Sequence, residues 1–308
     1  MKERADSYAA ALWQMSQINC GKVIKAVGGC YVVSINGEQT KCFAQKKVKY
    51  FYDNIAVGDN VEVIKQQDVF VINKILPRKN NLIRPAVANV DEVYIVLSVL
   101  PEPDFILADK VIINCNKQNI PVSLVINKLD ITDSDFIKKV KEQYKSEVDG
   151  IYPVSSINAQ GIEALINSVT DKTVCLCGQS AVGKTSILNA VLPGLNKQTG
   201  DLSIKTEKGK HTTRHNEIHA LKNGGFIVDT AGFSLFDVLD IKADELSLYF
   251  NSFYQLSKDC RYNMCTHTAE PDCAVKKAVE QNLLDRQRYQ RYLDIFEQLK
   301  TREKERFE

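Results

Sequence analysis

The chain has 308 residues, of which 44% are hydrophobic and 25% are charged, and its formal net charge is +2. This length and composition are typical of a globular protein with two or three domains. The small net charge argues against a protein that coats nucleic acid by bulk charge alone. The longest apolar runs fall well short of the ~20 residues of a membrane-spanning helix, which argues against an integral membrane protein.

Residues 1–18, which begin MKERADSYAAALWQMSQ, contain no long apolar core followed by a small-residue cleavage site, so no signal peptide is predicted. We therefore expect a cytoplasmic, monomeric protein with no membrane partner. No motif assigns a role to this N-terminal extension. The nine cysteines do not indicate disulfides in such a protein, and four of them lie in one short C-terminal segment.

Short alternating apolar runs broken by turns fill residues 19–77. Asn36-Gly37 and Gly58-Asp59 are turn signals, and Val61 and Val63 show the period of two that is typical of strands with one buried face. About five short strands in so few residues predict a small β-barrel of the oligonucleotide-binding (OB) type. The segment alone does not decide between a barrel that contacts RNA and a barrel that only packs.

The pattern changes after a polar, proline-bounded connector at residues 77–85, and residues 78–240 alternate apolar strands with amphipathic helices. The helix that begins near DSDFIKKVKEQY is predicted to have an Asp or Ser cap. This alternation predicts an α/β domain with a mostly parallel sheet. Ligands of such sheets bind at the carboxyl ends of the strands, where two sequence motifs lie.

The segment GQSAVGKTS follows an apolar strand and begins a helix. In this context the pattern G-x-x-x-x-G-K-[ST] predicts a phosphate-binding loop, because the turn lets consecutive backbone N–H groups face an anion. Lys184 supplies a mobile positive charge for the β- and γ-phosphates, and Thr185 supplies a hydroxyl to Mg²⁺. The residues expected to contact the nucleotide here are Gly178, Gln179, Ser180, Ala181, Val182, Gly183, Lys184, Thr185 and Ser186.

The second motif, N-K-x-D, consists of Asn127, Lys128 and Asp130 and follows an apolar strand directly. The carboxylate of Asp130 can accept two hydrogen bonds from the N1–H and amino groups of guanine, and adenine does not present these donors in that arrangement. Asn127 can bond the base edge, and the stem of Lys128 can cover the ring. Ser155 and Ser156 follow the next strand, where a backbone N–H can reach the O6 atom of guanine.

Downstream of the phosphate loop, GGFIVDTAGF predicts a strand that ends at a D-x-x-G motif. Asp229 can bind a water of Mg²⁺, and the N–H of Gly232 can contact a γ-phosphate. Thr212 and Thr213 lie in the long polar stretch before this strand and are candidate Mg²⁺ ligands. A loop of this length in an α/β domain is usually functional, and binding of the γ-phosphate would order it.

The motifs occur in an unusual order, because the base-reading N-K-x-D precedes the phosphate loop and D-x-x-G. In an ordinary GTP-binding domain N-K-x-D comes last. The order resembles that of a circularly permuted GTPase, in which the old termini are joined and the chain is opened elsewhere. The same site can form, because it depends on where loops meet in space.

Four potential metal ligands near the C-terminus have the spacing C-x4-C-x-H-x5-C: Cys260, Cys265, His267 and Cys273. Three thiolates and one imidazole predict a closed, four-coordinate site for one structural zinc ion, since no coordination position remains for catalysis. Residues 241–308 are therefore predicted to form a zinc-binding helical domain.

The tail that follows the cluster, AVKKAVEQNLLDRQRYQRYLDIFEQLK, is predicted to be helical, with Leu284, Gln287, Arg288 and Arg291 mixing apolar and basic positions. A basic helix beside a zinc site either binds RNA or presents a solvated face, and the second interpretation is preferred.

The barrel, permuted GTPase and zinc motif together resemble the bacterial small-ribosomal-subunit-dependent GTPase A family over roughly residues 20–300. The resemblance rests on RKNNLIRP, ANVD, NKLD, GQSAVGKTS, HTTR, DTAGF and CTHTAEPDCAV. It implies a multidomain α/β protein that binds GTP and GDP with magnesium, docks its barrel on small-subunit rRNA, and contacts the same surface with its zinc domain. Ala231 stands where the family usually has proline, and Ala181 where it often has glycine.

The resemblance also implies a catalytic group. Phe233 follows Gly232 at the position that is glutamine in many GTPases, and a phenyl ring cannot orient water. The resemblance implies a catalytic histidine ahead of the switch threonines, which matches His211. We therefore expect a catalytic set of Lys184, His211, Thr212 and Thr213, with neutral His211 accepting a hydrogen bond from the attacking water.

The expected function is a GTP hydrolase that acts late in small-subunit maturation and is stimulated by the subunit. Two alternatives remain open at this point. One is a permuted GTPase for large-subunit assembly, against which the barrel and zinc domain argue. The other is an RNA-binding scaffold in which the GTP site only controls the affinity for RNA and hydrolysis is incidental.

Overall fold

A computed structural model of the chain describes residues 18–45, 48, 55–66, 68–82, 86–195, 217–229 and 241–305. These residues form two compact units. The first lies within Met1–Val90 and Lys208–Ala231, and the second within Asp91–Glu207 and Gly232–Glu308. The domain limits expected from the sequence stay predictions. In the part of the chain that is described, no helix is both long enough and apolar enough to cross a membrane.

Strands and helices both occur in the described residues. The strands are β1 (Asn19–Val27), β2 (Cys30–Ile35), β3 (Glu38–Ala44), β4 (Asn60–Gln66), β5 (Val69–Ile75), β6 (Asn81–Leu82), β7 (Val87–Ala88), β8 (Glu92–Ser98), β9 (Val122–Asn127), β10 (Gly150–Pro153), β11 (Thr173–Cys177), β12 (Glu217–Ala220) and β13 (Phe226–Asp229). The α-helices are α1 (Phe105–Lys117), α2 (Ser134–Tyr144), α3 (Ile162–Ser168), α4 (Lys184–Val191), α5 (Asn251–Ser257), α6 (Ala274–Glu280) and α7 (Arg286–Glu305), and a 3-10 helix spans Ala243–Tyr249.

Strands β1 to β5 form a closed barrel in the first unit. β1 pairs with β2 and β4, β2 with β3, and β4 with β5, all antiparallel, while β3 and β5 close the remaining gap in parallel. The expected five-stranded barrel is therefore confirmed. Its interior consists of the alternate apolar side chains that the period of two predicts, and these include Val23, Val33, Cys42, Val61, Val63 and Ile72.

The connector after the barrel packs within the same unit. The guanidinium of Arg78 makes two hydrogen bonds to the fully buried carboxylate of Asp59, at 2.6 and 2.8 Å. Such bidentate pairing is the strong form of an arginine–carboxylate interaction. Beyond it, β6 pairs with β7, and β12 lies between β1 and β13 in antiparallel register.

The second unit contains a parallel sheet in the order β10, β9, β8, β11. Every residue of β8, β9 and β11 is buried, as expected for strands of a parallel sheet with both faces covered. The carboxylate of Asp104 accepts a hydrogen bond from Leu107 N and caps α1, and that of Asp133 accepts from Phe136 N and caps α2. The Asp-or-Ser cap predicted for α2 is thus the aspartate.

The C-terminal segment packs together with Ile113 of α1 around a hydrophobic core, which includes Leu246, Phe250, Phe253, Tyr292 and Phe296. The single helical tail expected from the sequence is wrong in one respect, because the structure has two helices. α6 ends at Glu280 and α7 begins at Arg286, and Asn282 between them has a φ of 57°. That left-handed conformation cannot continue an α-helix.

The sequence predicted a solvated or RNA-binding face that includes Arg288 and Arg291, and for these two side chains the prediction is wrong. Gln287 on the same helix is exposed, and RNA binding by the helix stays a prediction. Arg288 and Arg291 are only 4% and 8% exposed. The Nε atom of Arg291 donates to the fully buried carboxylate of Asp109 on α1, and Arg288 bonds Glu147 at 3.1 Å. Both guanidinium groups also lie over the ring of Tyr144. Because buried charges are stable only when paired, these contacts tie α7 to α1 and to the segment after α2.

Replacing one of these arginines should destabilise the second unit. Arg291→Ala is expected to lower the free energy of unfolding by about 3 kcal/mol, because it leaves the Asp109 carboxylate buried with a weaker partner, Arg288, at 3.5 Å. Lys277→Ala is the control, since it removes a surface ion pair to Asp272 at 3.7 Å and should cost less than about 1 kcal/mol. Denaturant unfolding of both variants measures the difference, and equal losses would contradict the assignment.

Candidate nucleotide-binding site and metal cluster

Asn127 joins three loops at the carboxyl edge of the parallel sheet. Its side chain is fully buried, and its Nδ2 atom donates to the carbonyl of Val182 in the phosphate loop at 2.9 Å. Its Oδ1 atom accepts from the backbone N–H of Ser156, which follows β10, at 3.3 Å. The structure therefore brings together the two motifs and the serine pair that the sequence placed on separate loops.

Two glycines are required for this close approach. A Cβ on Gly183 would lie 2.3 Å from Asn127 Nδ2, and a Cβ on Gly178 would lie 2.4 Å from the carbonyl oxygen of Val96. Both residues also have positive φ values, 94° and 135°, which side chains disfavour. Any other residue at either position would push the phosphate loop away from the sheet.

The polar groups expected to contact the base are held in place by side-chain hydrogen bonds. The hydroxyl of Ser155 donates to Asp130 Oδ1 at 2.6 Å and accepts from the N–H of Asn158 at 3.2 Å. The ammonium of Lys128 donates to the carbonyl of Ala181 at 3.0 Å. One carboxylate oxygen of Asp130 is thus fixed by Ser155, which orients the group that would contact guanine.

The phosphate loop leads into α4, which begins at Lys184. The Lys184 ammonium donates to the carbonyls of Gly178 and Gln179, each at 2.7 Å. Thr185 and Ser186 occupy the first turn of α4 and are half-buried, while Ser180 and Ala181 are exposed and Val182 is buried. A lysine ammonium above a loop that precedes a helix N-terminus gives a site suited to a polyphosphate anion.

Five further residues were predicted to belong to the site. His211, Thr212, Thr213 and Gly232 lie outside the described residues. Asp229 is described and ends strand β13, in the first unit. The roles expected of these five residues stay predictions.

The sequence reasoning missed one loop, residues 100–104, which follows β8. Its carbonyls at Leu100 and Glu102 accept hydrogen bonds from Lys128 and Gln179, at 2.6 and 2.9 Å. A signal was present, since β8 is a buried parallel strand and its carboxyl end must lie at the same edge as those of β9 and β11. The loop carries no nucleotide-binding motif, so no short pattern pointed to it.

The four predicted metal ligands form one cluster, with their ligand atoms all within 4.8 Å of one another. The Sγ atoms of Cys260 and Cys273 are 3.9 Å apart, and His267 Nδ1 lies 3.6 and 3.3 Å from them. Tetrahedral zinc bonded to sulfur at about 2.3 Å and to nitrogen at about 2.0 Å separates its ligands by roughly 3.5 to 3.8 Å. The residues present therefore fit a zinc ion held through His267 Nδ1.

Hydrogen bonds around the cluster hold its loop. The carboxylate of Glu270 accepts from the N–H and hydroxyl of Thr266 and from the N–H of Thr268. Burial opposes ionisation of Glu270, but these hydrogen bonds outweigh it and lower its pKa to about 2. Tyr289 and Tyr292 on α7 donate to the carbonyls of His267 and Thr266. The C-terminal helix thus supports the loop that carries two of the ligands.

Burial raises the pKa of the Cys265 thiol to about 12 and raises that of Cys273 as well. Without a cation both side chains are therefore protonated at neutral pH. A divalent metal would stabilise the thiolates and release the protons, so metal binding and folding of this segment are coupled.

Comparison with known proteins identifies the family. The sequence model described as "RsgA GTPase" matches residues 75–239. The chain belongs to the RsgA GTPase family. It is 37% identical over 288 residues to the "Small ribosomal subunit biogenesis GTPase RsgA" of Ruminiclostridium cellulolyticum, an alignment that covers 91% of this chain and 93% of that protein.

Two solved structures support the same assignment. YjeQ from Thermotoga maritima has a TM-score of 0.78 and 33% sequence identity, covering 92% of this chain and 98% of that one. YloQ, described as a circularly permuted GTPase, has a TM-score of 0.76 and 31% identity, covering 93% and 96%. The permuted GTPase fold expected from the motif order is confirmed, and in this chain it is accompanied by the barrel and the Cys/His cluster.

The metal cluster of this RsgA GTPase can be tested by elemental analysis. Purified protein should contain one zinc ion per chain, and Cys265→Ser should lose it, because three remaining ligands bind zinc far more weakly. Cys20→Ser, a change at an exposed cysteine outside the cluster, should retain the metal. The variant without zinc should also unfold at a lower temperature. Folded wild-type protein without metal would contradict the zinc assignment.

Proposed function

We propose that the chain hydrolyses GTP and acts in maturation of the small ribosomal subunit. The observation that carries the proposal is the direct hydrogen bond between Asn127 of N-K-x-D and Val182 of the phosphate loop. It joins a motif suited to guanine with a motif suited to phosphates in one site. The biological role is supported by the similarity to the "Small ribosomal subunit biogenesis GTPase RsgA" of Ruminiclostridium cellulolyticum.

The guanine base is proposed to bind at the loops after β9 and β10. Asp130 accepts hydrogen bonds from the base, and Ser155 fixes its carboxylate orientation through the 2.6 Å hydrogen bond. The predicted contact of Asn127 with the base edge requires its buried side chain to exchange its present partner Val182 or Ser156 for the base. Lys128 covers the ring with its stem, and a backbone N–H of the loop that contains Ser155 and Ser156 contacts O6.

The phosphates are proposed to bind the loop of residues 178–186, with Lys184 leaving its two carbonyl partners for the β- and γ-phosphates. Magnesium accompanies GTP, with Thr185 as a ligand and Asp229 bonding one of its waters. The N–H of Gly232 contacts the γ-phosphate. The zinc ion is structural, since Cys260, Cys265, His267 and Cys273 supply all four ligands.

Hydrolysis is proposed to depend on residues between His211 and Phe233. His211 in its neutral form accepts a hydrogen bond from the attacking water, and Thr212 or Thr213 joins the magnesium when the γ-phosphate is present. Lys184 and the backbone amides offset the charge that develops on the γ-phosphate. The role of His211 rests on its position in the sequence relative to the family motif.

The partner is proposed to be the small subunit and its rRNA. The barrel supplies two partly exposed aromatic rings, Phe43 and Phe70, with Lys41 and Lys65 stacked over them at 5.8 and 5.9 Å. Aromatic rings beside cations are suited to stacking on RNA bases and contacting phosphates. The protein is proposed to work as a cytoplasmic monomer.

The test is GTP turnover titrated with isolated ribosomal subunits. The small subunit should raise turnover, because binding to it would order the switch residues around the γ-phosphate. The large subunit serves as the control and should leave turnover unchanged. Stimulation by the large subunit alone would favour a role in assembly of the large subunit. Binding to the small subunit without any GTP turnover would favour the RNA-binding scaffold.

The base-reading assignment predicts a change of nucleotide preference. Asp130→Asn should shift the preference from guanine toward xanthine nucleotides, because an amide can donate to the O2 atom that xanthine has in place of the guanine amino group. Competition binding with GDP and XDP measures the shift. Asp133→Asn is the matched control, since Asp133 caps α2 and asparagine caps a helix about as well, so that neither stability nor base preference should change. Unchanged guanine selectivity in Asp130→Asn would contradict the assignment.

The catalytic assignment predicts a separation of binding from turnover. His211→Ala should leave the affinity for GTP nearly intact and reduce subunit-stimulated turnover by roughly 100-fold, the size typical of a lost general base. His215→Ala, four positions later, is the control. Normal stimulated turnover in His211→Ala would remove His211 from the mechanism.

A further inference from the structure

The loop of residues 100–104 has no part in the nucleotide-binding motifs, yet it is bonded to the phosphate loop and to N-K-x-D. It lies between β8, which ends at Ser98, and α1, which begins at Phe105. All its polar contacts with the site use backbone atoms. The loop can therefore influence the site only through the side chains that form hydrogen bonds with its backbone, and these are Gln179 and Lys128.

Gln179 forms hydrogen bonds to the loop through both the oxygen and the nitrogen of its carboxamide. The Oε1 atom accepts a hydrogen bond from the N–H of Asp104 at 2.8 Å, and the Nε2 atom donates to the carbonyl of Glu102 at 2.9 Å. A carboxamide presents one acceptor and two donors at the end of a flexible stem, so it can satisfy both groups at once. Neither a carboxylate nor a thioether of similar length offers both.

Lys128 bridges the same two loops at a second point. Its ammonium donates to the carbonyl of Leu100 at 2.6 Å and to that of Ala181 at 3.0 Å. The phosphate loop is thus tied to the loop of residues 100–104 on both sides of Ser180. Two attachments restrict the loop more than one does, since the segment between them cannot rotate about a single bond.

Gln179 is also held through its main chain. Its carbonyl accepts from the Lys184 ammonium at 2.7 Å, while its side chain is bonded to the other loop. The conformation of Gln179 therefore helps to fix the position of the Lys184 ammonium before nucleotide binds. A loop already held in one conformation loses less entropy when a ligand binds.

We infer that Gln179 is a positioning residue of the guanine-nucleotide site, which holds the phosphate loop against residues 100–104 so that its backbone amides are arranged for the phosphates before nucleotide binds. The inference rests on the proposed function. It deepens that function by giving a role to a side chain that the phosphate-loop motif leaves unspecified, and by adding a fourth strand-end loop to the site.

The test is Gln179→Met, which keeps the length of the side chain and removes both hydrogen bonds. The KM for GTP and the dissociation rate of a fluorescent GDP analogue should each rise about tenfold, which corresponds to ~1.4 kcal/mol of binding free energy. The kcat at saturating GTP should stay within about twofold, because Gln179 is bonded to a neighbouring loop and not to the reacting phosphate. Measurements use the full chain with GTP and with the GDP analogue.

The matched control is Gln118→Met. Gln118 follows the other end of α1, and its Nε2 atom also donates to a backbone carbonyl, that of Asn114, at 3.4 Å. This variant should leave both KM and the dissociation rate unchanged. The midpoint of thermal unfolding without nucleotide should be the same in the two variants, since a positioning role affects binding and not the stability of the whole unit.

Several results would overturn the inference. An unchanged KM and dissociation rate in Gln179→Met, alongside a wild type that binds and hydrolyses GTP, would remove Gln179 from the site while leaving the proposed function intact. A lower kcat at constant KM would mean that Gln179 acts on the reaction. A much lower unfolding midpoint than that of Gln118→Met would mean a general structural role. A wild-type protein that binds no GTP would overturn the proposed function itself.

Discussion

The buried amide of Asn127 is the contact on which the candidate site depends. It bonds the phosphate loop through the carbonyl of Val182 and the loop after β10 through the N–H of Ser156. It fits only because Gly183 has no side chain, since a Cβ there would lie 2.3 Å from the amide nitrogen. A fully buried polar group must be bonded, so any arrangement that separates these loops leaves Asn127 unsatisfied. The same hydrogen bonds thus stabilise the sheet edge and assemble the site.

This dependence explains why the chain order of the motifs can change without loss of the site. The contacts of Asn127 join loops that follow β9, β10 and β11, and these strands lie in one parallel sheet. A permutation alters which strand comes first but leaves the carboxyl ends at one edge. The likeness to YloQ, described as a circularly permuted GTPase, agrees with this topology.

A second set of buried polar contacts holds the C-terminal helix. α7 inserts Arg291 against Asp109 on α1 and supports the metal loop through Tyr289 and Tyr292. The segment from 241 onward shares an aromatic-rich core with α1, and a zinc ion would supplement this core at one end. Helix α1 therefore has contacts on two sides. Its N-terminal cap residue, Asp104, bonds the phosphate loop, and its Asp109 bonds α7.

Local sequence determined much of this protein. Periods of two and 3.6, the turn signals, the glycine-rich loop, N-K-x-D and the Cys/His spacing are properties of short segments, and they predicted the barrel, the parallel sheet, the two nucleotide motifs and the metal cluster. Tertiary structure alone decided which long side chains are buried. Arg288 and Arg291 look like surface residues of a basic helix because the carboxylates that pair with them, Asp109 and Glu147, lie far away in the chain. The loop of residues 100–104 was missed although the end of β8 indicated its place at the sheet edge, since the loop bonds Gln179 and Lys128 through its own backbone atoms, which no short sequence motif marks.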